Sequence, residues 1–164
     1  MQRLSVIGII TLMVTLNTIP ALSQEENKEA NFDSLSLSPG FSPNPTSGGG
    51  QVGGYTNGSF PLSSKTNSDR NGNPCIGYGD TTPDHKLVLE QDFSNLTVKV
   101  NSQGQGTTLV IQGPDNQTFR CGDGIESTND AIVKDQTWTA GTYWIWVGTV
   151  DSAQMLNYTL TVRE

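Results

Sequence analysis

The one imidazole in this chain is His85, and any nucleophilic mechanism that needs a histidine to carry a proton, whether Ser-His-Asp or Cys-His, would have to converge on it. His85 follows Pro83-Asp84 at the entrance to an extended run. There the preferred reading is a turn residue whose ring bonds a nearby backbone group or carboxylate. The chain has sixteen Asp and Glu residues, and glycoside hydrolysis needs only two carboxyls at the right separation, but no pair stands out. Calcium asks for several oxygen ligands gathered on flexible loops. The stretch Asp123-Gly124-Ile125-Glu126-Ser127-Thr128-Asn129-Asp130 offers such groups, and Asp80 and Asp84 reach it if the two cysteines draw the segments together. Asp123, Glu126, Asp130 and Asp84 are therefore the candidate metal ligands. Their spacing matches no EF-hand loop, and a solvated acidic loop is the expected state. No cofactor is expected, with weakly bound calcium the exception the sequence admits.

Two further features carry chemistry. In Tyr143-Trp144-Ile145-Trp146-Val147 a period of two puts Tyr143, Ile145 and Val147 on one face and Trp144 with Trp146 on the other. The first set belongs in a core. The two indoles either lie beneath an N-terminal apolar segment, through residues such as Phe41 or Phe60, or form an open platform for a sugar ring or a partner's side chains; cover is preferred. The second feature is the cysteine pair, Cys75 and Cys121, whose meaning depends on compartment. Arg3, the apolar stretch from Leu4 to Leu16, Pro20 and then Ala21-Leu22-Ser23 read as a secretory signal peptide over residues 1–23. In an oxidising compartment the two thiols pair with each other, which would stabilise the fold by roughly 4 kcal/mol in the chain-entropy model. Two cysteines and one histidine at wide spacing do not make a zinc set.

The formal net charge is −7, and it becomes one unit more negative once the leader with Arg3 is removed. That field repels nucleic-acid phosphates and anionic lipid, so neither is an expected partner. No segment beyond the leader is apolar enough to span a membrane, so the mature form is not expected to insert. Residues 24–72 are rich in Gly, Ser, Pro and Asn, most of all through Ser42-Pro43-Asn44-Pro45-Thr46-Ser47-Gly48-Gly49-Gly50. Such a stretch buries too little apolar area to order alone, so it reads as a low-complexity tail or linker. Its scattered Leu35, Leu37, Phe41, Tyr55, Phe60 and Leu62 suggest that part of it packs on the domain.

Residues 73–164 change to short alternating runs between turn residues, the pattern of an antiparallel all-β sandwich. The runs Lys86 to Gln91, Asn95 to Asn101, Thr107 to Gln112, Gln117 to Arg120, Ala131 to Lys134, Thr142 to Thr149 and Met155 to Arg163 are expected strands. No window has a helical period. Gly113-Pro114-Asp115-Asn116 supplies a tight reversal. The domain is small and its core thin, which is where a disulfide matters most.

Within this region are Pro83-Asp84-His85, then Thr107-Thr108-Leu109-Val110-Ile111-Gln112-Gly113-Pro114-Asp115, and Arg120-Cys121-Gly122-Asp123. They are followed by Ala140-Gly141-Thr142-Tyr143-Trp144-Ile145-Trp146-Val147-Gly148 and Tyr158-Thr159-Leu160-Thr161-Val162. In this order they resemble a bacterial pre-peptidase C-terminal domain, in particular a cysteine-bearing form of exported cyanobacterial proteins. The resemblance implies a small jelly-roll-like β-sandwich that accompanies secreted proteases and other exported proteins rather than performing the catalysis. Some members bind calcium and some are linked to substrate targeting. Where the pattern usually has Asp ahead of Thr107, this chain has Gly106, and where a second acid often follows Asp123 it has Gly124; both departures weaken the implied calcium role. The sequence suggests the appendage standing alone.

Four Asn-x-Ser/Thr triplets begin at Asn57, Asn95, Asn116 and Asn157; they carry glycans only in a eukaryotic secretory pathway. The expected function is a secreted or periplasmic, non-catalytic binding or accessory domain for a protein or carbohydrate ligand. The alternatives are a small exported hydrolase using carboxylates and a purely structural envelope protein.

Overall fold

The computed structural model describes residues 29–42, 50–124 and 129–164. The expected signal peptide at 1–23, residues 43–49 of the Gly/Ser/Pro-rich run, and Glu126 lie outside the described residues. The described residues form eleven strands: β1 (Leu35–Leu37), β2 (Gln51–Tyr55), β3 (Phe60–Pro61), β4 (Tyr78–Gly79), β5 (His85–Leu89), β6 (Phe93–Asn101), β7 (Thr107–Gln112), β8 (Phe119–Asp123), β9 (Ile132–Trp138), β10 (Gly141–Thr149) and β11 (Asn157–Arg163). A 3₁₀ turn, Leu62–Ser64, follows β3.

The strands form two sheets. In the four-stranded sheet the order is β2-β11-β6-β9. In the seven-stranded sheet β10 is the hub: it pairs with β5, β7 and β4, while β1 extends the β5 edge, β8 the β7 edge and β3 the β4 edge. The alternation that marks β6 and β11 in the sequence sends Leu96, Val98, Val100, Tyr158, Leu160 and Val162 inward from the smaller sheet. Leu87, Leu89, Leu109, Ile111, Tyr143, Ile145 and Val147 meet them from the larger one. These side chains form one continuous apolar layer between the sheets.

Three expectations are corrected. The sandwich is not wholly antiparallel, because β1 pairs with β5 in parallel register, Leu35 opposite Leu87 and Leu37 opposite Leu89. The segment read as a tail does more than pack on the domain: β1 and β3 join the larger sheet, and β2 pairs with β11 as an edge of the smaller one. Short strands of this kind are set by the partner edge rather than by their own composition. Gly53 and Gly54 in β2 are otherwise poor strand formers. Strand β8 also starts two residues later than expected. The Asp115 carboxylate accepts from the Gln117 and Thr118 N–H groups and from the Thr118 hydroxyl, holding residues 115–118 in the turn.

A second apolar cluster lies on the outer side of the larger sheet, where Leu62, Cys75, Val110, Cys121 and Trp146 are buried together. The covering layer is the chain between β3 and β4. It is fastened by a Cys75–Cys121 disulfide, whose Cα atoms are 5.2 Å apart, and by Asp69. Asp69 accepts from the Asn71 and Asn73 N–H groups, the Asn73 side-chain amide and the Cys121 N–H. Burial pushes the Asp69 carboxyl up, but these hydrogen bonds outweigh it and hold it below the usual carboxylate range. Covered on both faces, β7 has every residue but Gln112 buried. At Gly77 the backbone takes φ +99° against Thr108, leaving no room for a Cβ.

Replacing both cysteines with alanine is expected to lower the unfolding free energy by about 4 kcal/mol, read from the urea midpoint. The Trp emission should also shift to the red as the covering layer loosens over Trp146. An unchanged midpoint would show that the layer holds without the bond.

Candidate functional site

Pro83-Asp84-His85 lies where β5 begins and runs beside the longer β10. The last main-chain contact there is the Asp84 N–H donating to the Ile145 carbonyl at 2.7 Å. Two residues further along β10, the Val147 N–H has no strand partner on this side, and the Asp84 carboxylate accepts from it instead, at 2.7 Å. A side chain thus stands in for a missing strand residue. The N-terminal segment covers the same corner: the Asn31 and Phe32 N–H groups donate to the carbonyls of Pro83 and Asp84, both at 2.9 Å.

The consequence is a carboxyl that is only 3% exposed. Burial is the largest influence on it and pushes its pKa up to about 7. The Val147 N–H and the Asn31 side-chain amide pull it down, and the nearby Asp80 charge pushes it up again. None of these neighbours is a cation.

His85 points into the layer between the sheets and is 1% exposed. Its Nδ1 lies 2.8 Å from the Asp33 carbonyl and its Nε2 2.9 Å from the Tyr158 hydroxyl. A carbonyl can only accept, so Nδ1 carries the proton and Nε2 accepts from Tyr158. Burial holds the imidazole below its ordinary pKa, against the opposing influence of the Asp33 carbonyl and carboxylate. Burial, and then the Asp84 charge, push the Tyr158 hydroxyl well above its ordinary range. Both ring nitrogens are committed to the fold, and His85 ties the two sheets and the N-terminal segment together. That agrees with its reading as a residue bonded to a neighbouring backbone group, although it sits in the core rather than in a turn.

Asp84 opens onto a cleft of about 170 Å³ lined by Asn31, Phe32, Tyr55, Asn57, Asp80 and Asp84. Tyr55 is 44% exposed and meets Phe32 edge to face at 4.9 Å, and Phe32 in turn leans on His85. A larger groove of about 300 Å³ lies between β8 and β9, against Asp69, Arg120 and Asp135. Its buried charges are already matched. The Arg120 Nε donates to Asp135 at 2.7 Å, the guanidinium stacks on Trp138 at 4.1 Å, and Asp69 holds the covering layer. The Asp84 cleft differs in having a buried acid with only neutral donors.

Among the described residues, Asp123, Asp130 and Asp84 do not gather into the expected calcium set. Asp123 is exposed at the end of β8. Asp130 is buried, with one oxygen accepting from the Ser102 N–H, the Ser102 hydroxyl and the Gly104 N–H. Asp84 serves its own corner. Among the described residues no three His, Cys, Asp or Glu side chains group as metal ligands. Nor do Trp144 and Trp146 form an open platform. Trp146 is fully buried under Leu62, with Phe60 packed against the same cluster; its Nε1 donates to the Thr81 carbonyl at 3.3 Å, and the Lys65 ammonium lies 3.9 Å from the ring. Trp144 is half-buried beside Lys86. Cover by Phe60 holds, whereas Phe41 packs instead against Phe93 on the inner layer. Of the cleft residues, Asn31 and Phe32 went unnoticed in the sequence, Tyr55 was read only as one of the scattered apolar residues of the tail, and Asn57 only as the start of an Asn-x-Ser/Thr triplet. The one hint was an exposed-type aromatic in a stretch otherwise fit for a spacer.

No family model matches the chain. No curated protein matches it either. Among solved structures, the pre-peptidase C-terminal domain of collagenase from Bacillus anthracis is similar, at 14% identity and a TM-score of 0.46, over 79% of this chain and 94% of that one. At this identity and score the likeness says nothing about ligand or activity. Among the described residues no helix is long and apolar enough to cross a membrane.

The Asp84 environment fixes a pH dependence. Folded Asp84 keeps its proton up to about pH 7, whereas the unfolded residue loses it near 3.8. Between those values the folded state binds more protons, so this group's contribution to stability falls as pH rises. His85 works the other way: its folded pKa is lowered, so its contribution falls as pH drops below the ordinary imidazole range. Asp84→Asn removes only the first effect. Relative to wild type it should gain up to about 4 kcal/mol by pH 8 and little at pH 4, measured as urea midpoints across pH. A constant difference between the two proteins would contradict the assignment.

Proposed function

We propose that this chain is an exported, non-catalytic binding or accessory domain, a jelly-roll-like relative of the cysteine-bearing pre-peptidase C-terminal domains whose sequence pattern it resembles. The observation that carries the reading is the state of His85. The only histidine has both ring nitrogens engaged and is shut inside the core, so it has no lone pair with which to take a substrate proton. Asp69, Asp84 and Asp130 hold backbone N–H groups, and the cleft at Asp84 is the surface best suited to meet a ligand.

A carboxylate hydrolase is the second reading. It is favoured by one observation, that Asp84 holds its proton to about pH 7 beside Asp80, as a general acid would. Against it, the Asp84 carboxylate is fixed to the Val147 N–H, where it completes the edge of β10.

Purified protein assayed on chromogenic glycosides, esters and peptides should give no turnover above that of Asp84→Asn. On an array of glycans and peptides it should be retained, and Tyr55→Ala should weaken retention. Turnover abolished by Asp84→Asn would establish the hydrolase. Absence of both turnover and retention would leave a structural envelope role and overturn the binding reading.

A further inference from the structure

The cleft at Asp84 is specific enough to name the chemistry of its occupant. Two carboxylates, Asp80 and Asp84, share a wall with two side-chain amides, Asn31 and Asn57, and with the rings of Phe32 and Tyr55. Asp84 is 3% exposed, and its hydrogen-bond donors, the Val147 N–H and the Asn31 amide, are neutral. Once ionised, above about pH 7, Asp84 is a buried carboxylate with neutral donors alone, and a cation entering the cleft compensates its charge. Tyr55 remains 44% exposed at the rim, in T-shaped contact with the Phe32 ring at 4.9 Å. Aromatic faces near carboxylates favour a soft, organic cation.

Other occupants fit less well. Calcium takes about six to eight oxygen ligands and makes no use of aromatic rings. Here there are two carboxylates, and one oxygen of Asp80 already accepts from the Thr81 hydroxyl and the Thr82 N–H, both at 3.2 Å. A neutral sugar could stack on Tyr55 but would leave the ionised form of Asp84 unmatched. A guanidinium is a flat fork suited to one carboxylate presented edge-on. An ammonium is compact and has three donors to divide among separate acceptors, and Asp84, Asp80 and an amide oxygen are available.

We propose that this cleft binds a primary ammonium group, carried by a lysine side chain or by a free alkylamine, between the Asp80 and Asp84 carboxylates and the Phe32–Tyr55 aromatic pair. This deepens the binding reading and depends on it. The acid supplies charge, the rings supply the apolar contact for the attached methylenes, and the N-terminal segment that brings in Asn31 and Phe32 completes the wall.

The test is an amide-resolved NMR titration of the full-length mature protein with n-butylammonium chloride at constant chloride. The neutral control is n-butanol and the hard-cation control is calcium chloride. Saturable shifts are expected at the Val147 and Phe32 N–H groups and at the Asn31 and Asn57 side-chain amides, with none from butanol. Asp84→Asn should weaken binding by about tenfold or more. Tyr55→Ala and Asp80→Asn, on the surface and checked by thermal melting, give the same reading if Asp84→Asn misfolds. The peptide acetyl-Gly-Lys-Gly-amide, compared with its Nε-acetylated form, separates the sources. A response to the unmodified peptide places the ammonium on a protein partner, and a response to butylammonium alone places it on a free amine; both support the site. Equal shifts from butanol and butylammonium, shifts from calcium that exclude butylammonium, or no shifts at these residues would overturn the proposal. Array retention that persists alongside such a failure would leave the binding reading standing without the ammonium site.

Discussion

A strand that stops short of its neighbour must leave backbone groups unpaired, and in this protein the debt is met by a single carboxylate. Strand β5 begins at His85, while β10 runs on past Ile145 toward Thr149. The Asp84 side chain accepts from the Val147 N–H that the shorter strand cannot reach. Everything at this corner follows from that substitution. The acid has to be buried to reach Val147. His85, next in the chain, then falls on the inner face, where it links Tyr158 of the opposite sheet to the Asp33 carbonyl. The N-terminal segment closes over both through the Pro83 and Asp84 carbonyls.

The opposite face of the larger sheet is governed by a different constraint. Trp146 alternates away from the core on a strand packed on its other side by Ile145 and Val147, so its indole must be covered or left wet. The chain from Leu62 to Cys75 supplies the cover, and the bond to Cys121 keeps it in place. The loop-closure entropy removed by that bond matters most in a domain whose two apolar layers are each thin. One face of β10 is therefore committed to the inner layer and the other to the lid. The exposed, chemically varied ground is left at its end, beside Asp84.

Much of this architecture was legible in the chain itself. Alternation marks β6, β10 and β11 because each has one dry face against a single core, and the two cysteines had no other partners once export was read from the leader. The short strands β1, β2 and β3 were not legible. Three residues, a run containing Gly53 and Gly54, and two residues carry no period of their own and become strands only because β5, β11 and β4 offer open edges. The site was half legible for the same reason. Asp84 stood out as a charged residue at a strand entrance, but the pairing of Cys75 with Cys121 was expected to bring it toward the loop from Asp123 to Asp130. The fold instead joins it to Asn31, Tyr55 and Asn57, contributed by the stretch that composition marked as spacer. Asp130 also seemed free to bind metal, yet it closes the turn at Ser102 and Gly104, a local duty that sequence spacing does not reveal.

The account stands on Asp84 being a dry carboxyl with neutral donors alone. Its titration can be followed directly from the carboxyl carbon by NMR in protein enriched with ¹³C at aspartate, with Asp84→Asn identifying the resonance. The account predicts a midpoint near the value of about 7 that burial imposes. A midpoint in the ordinary carboxylate range near 3.8 would mean that the acid is hydrated or paired with a cation, and the cleft would lose the uncompensated charge on which its chemistry rests.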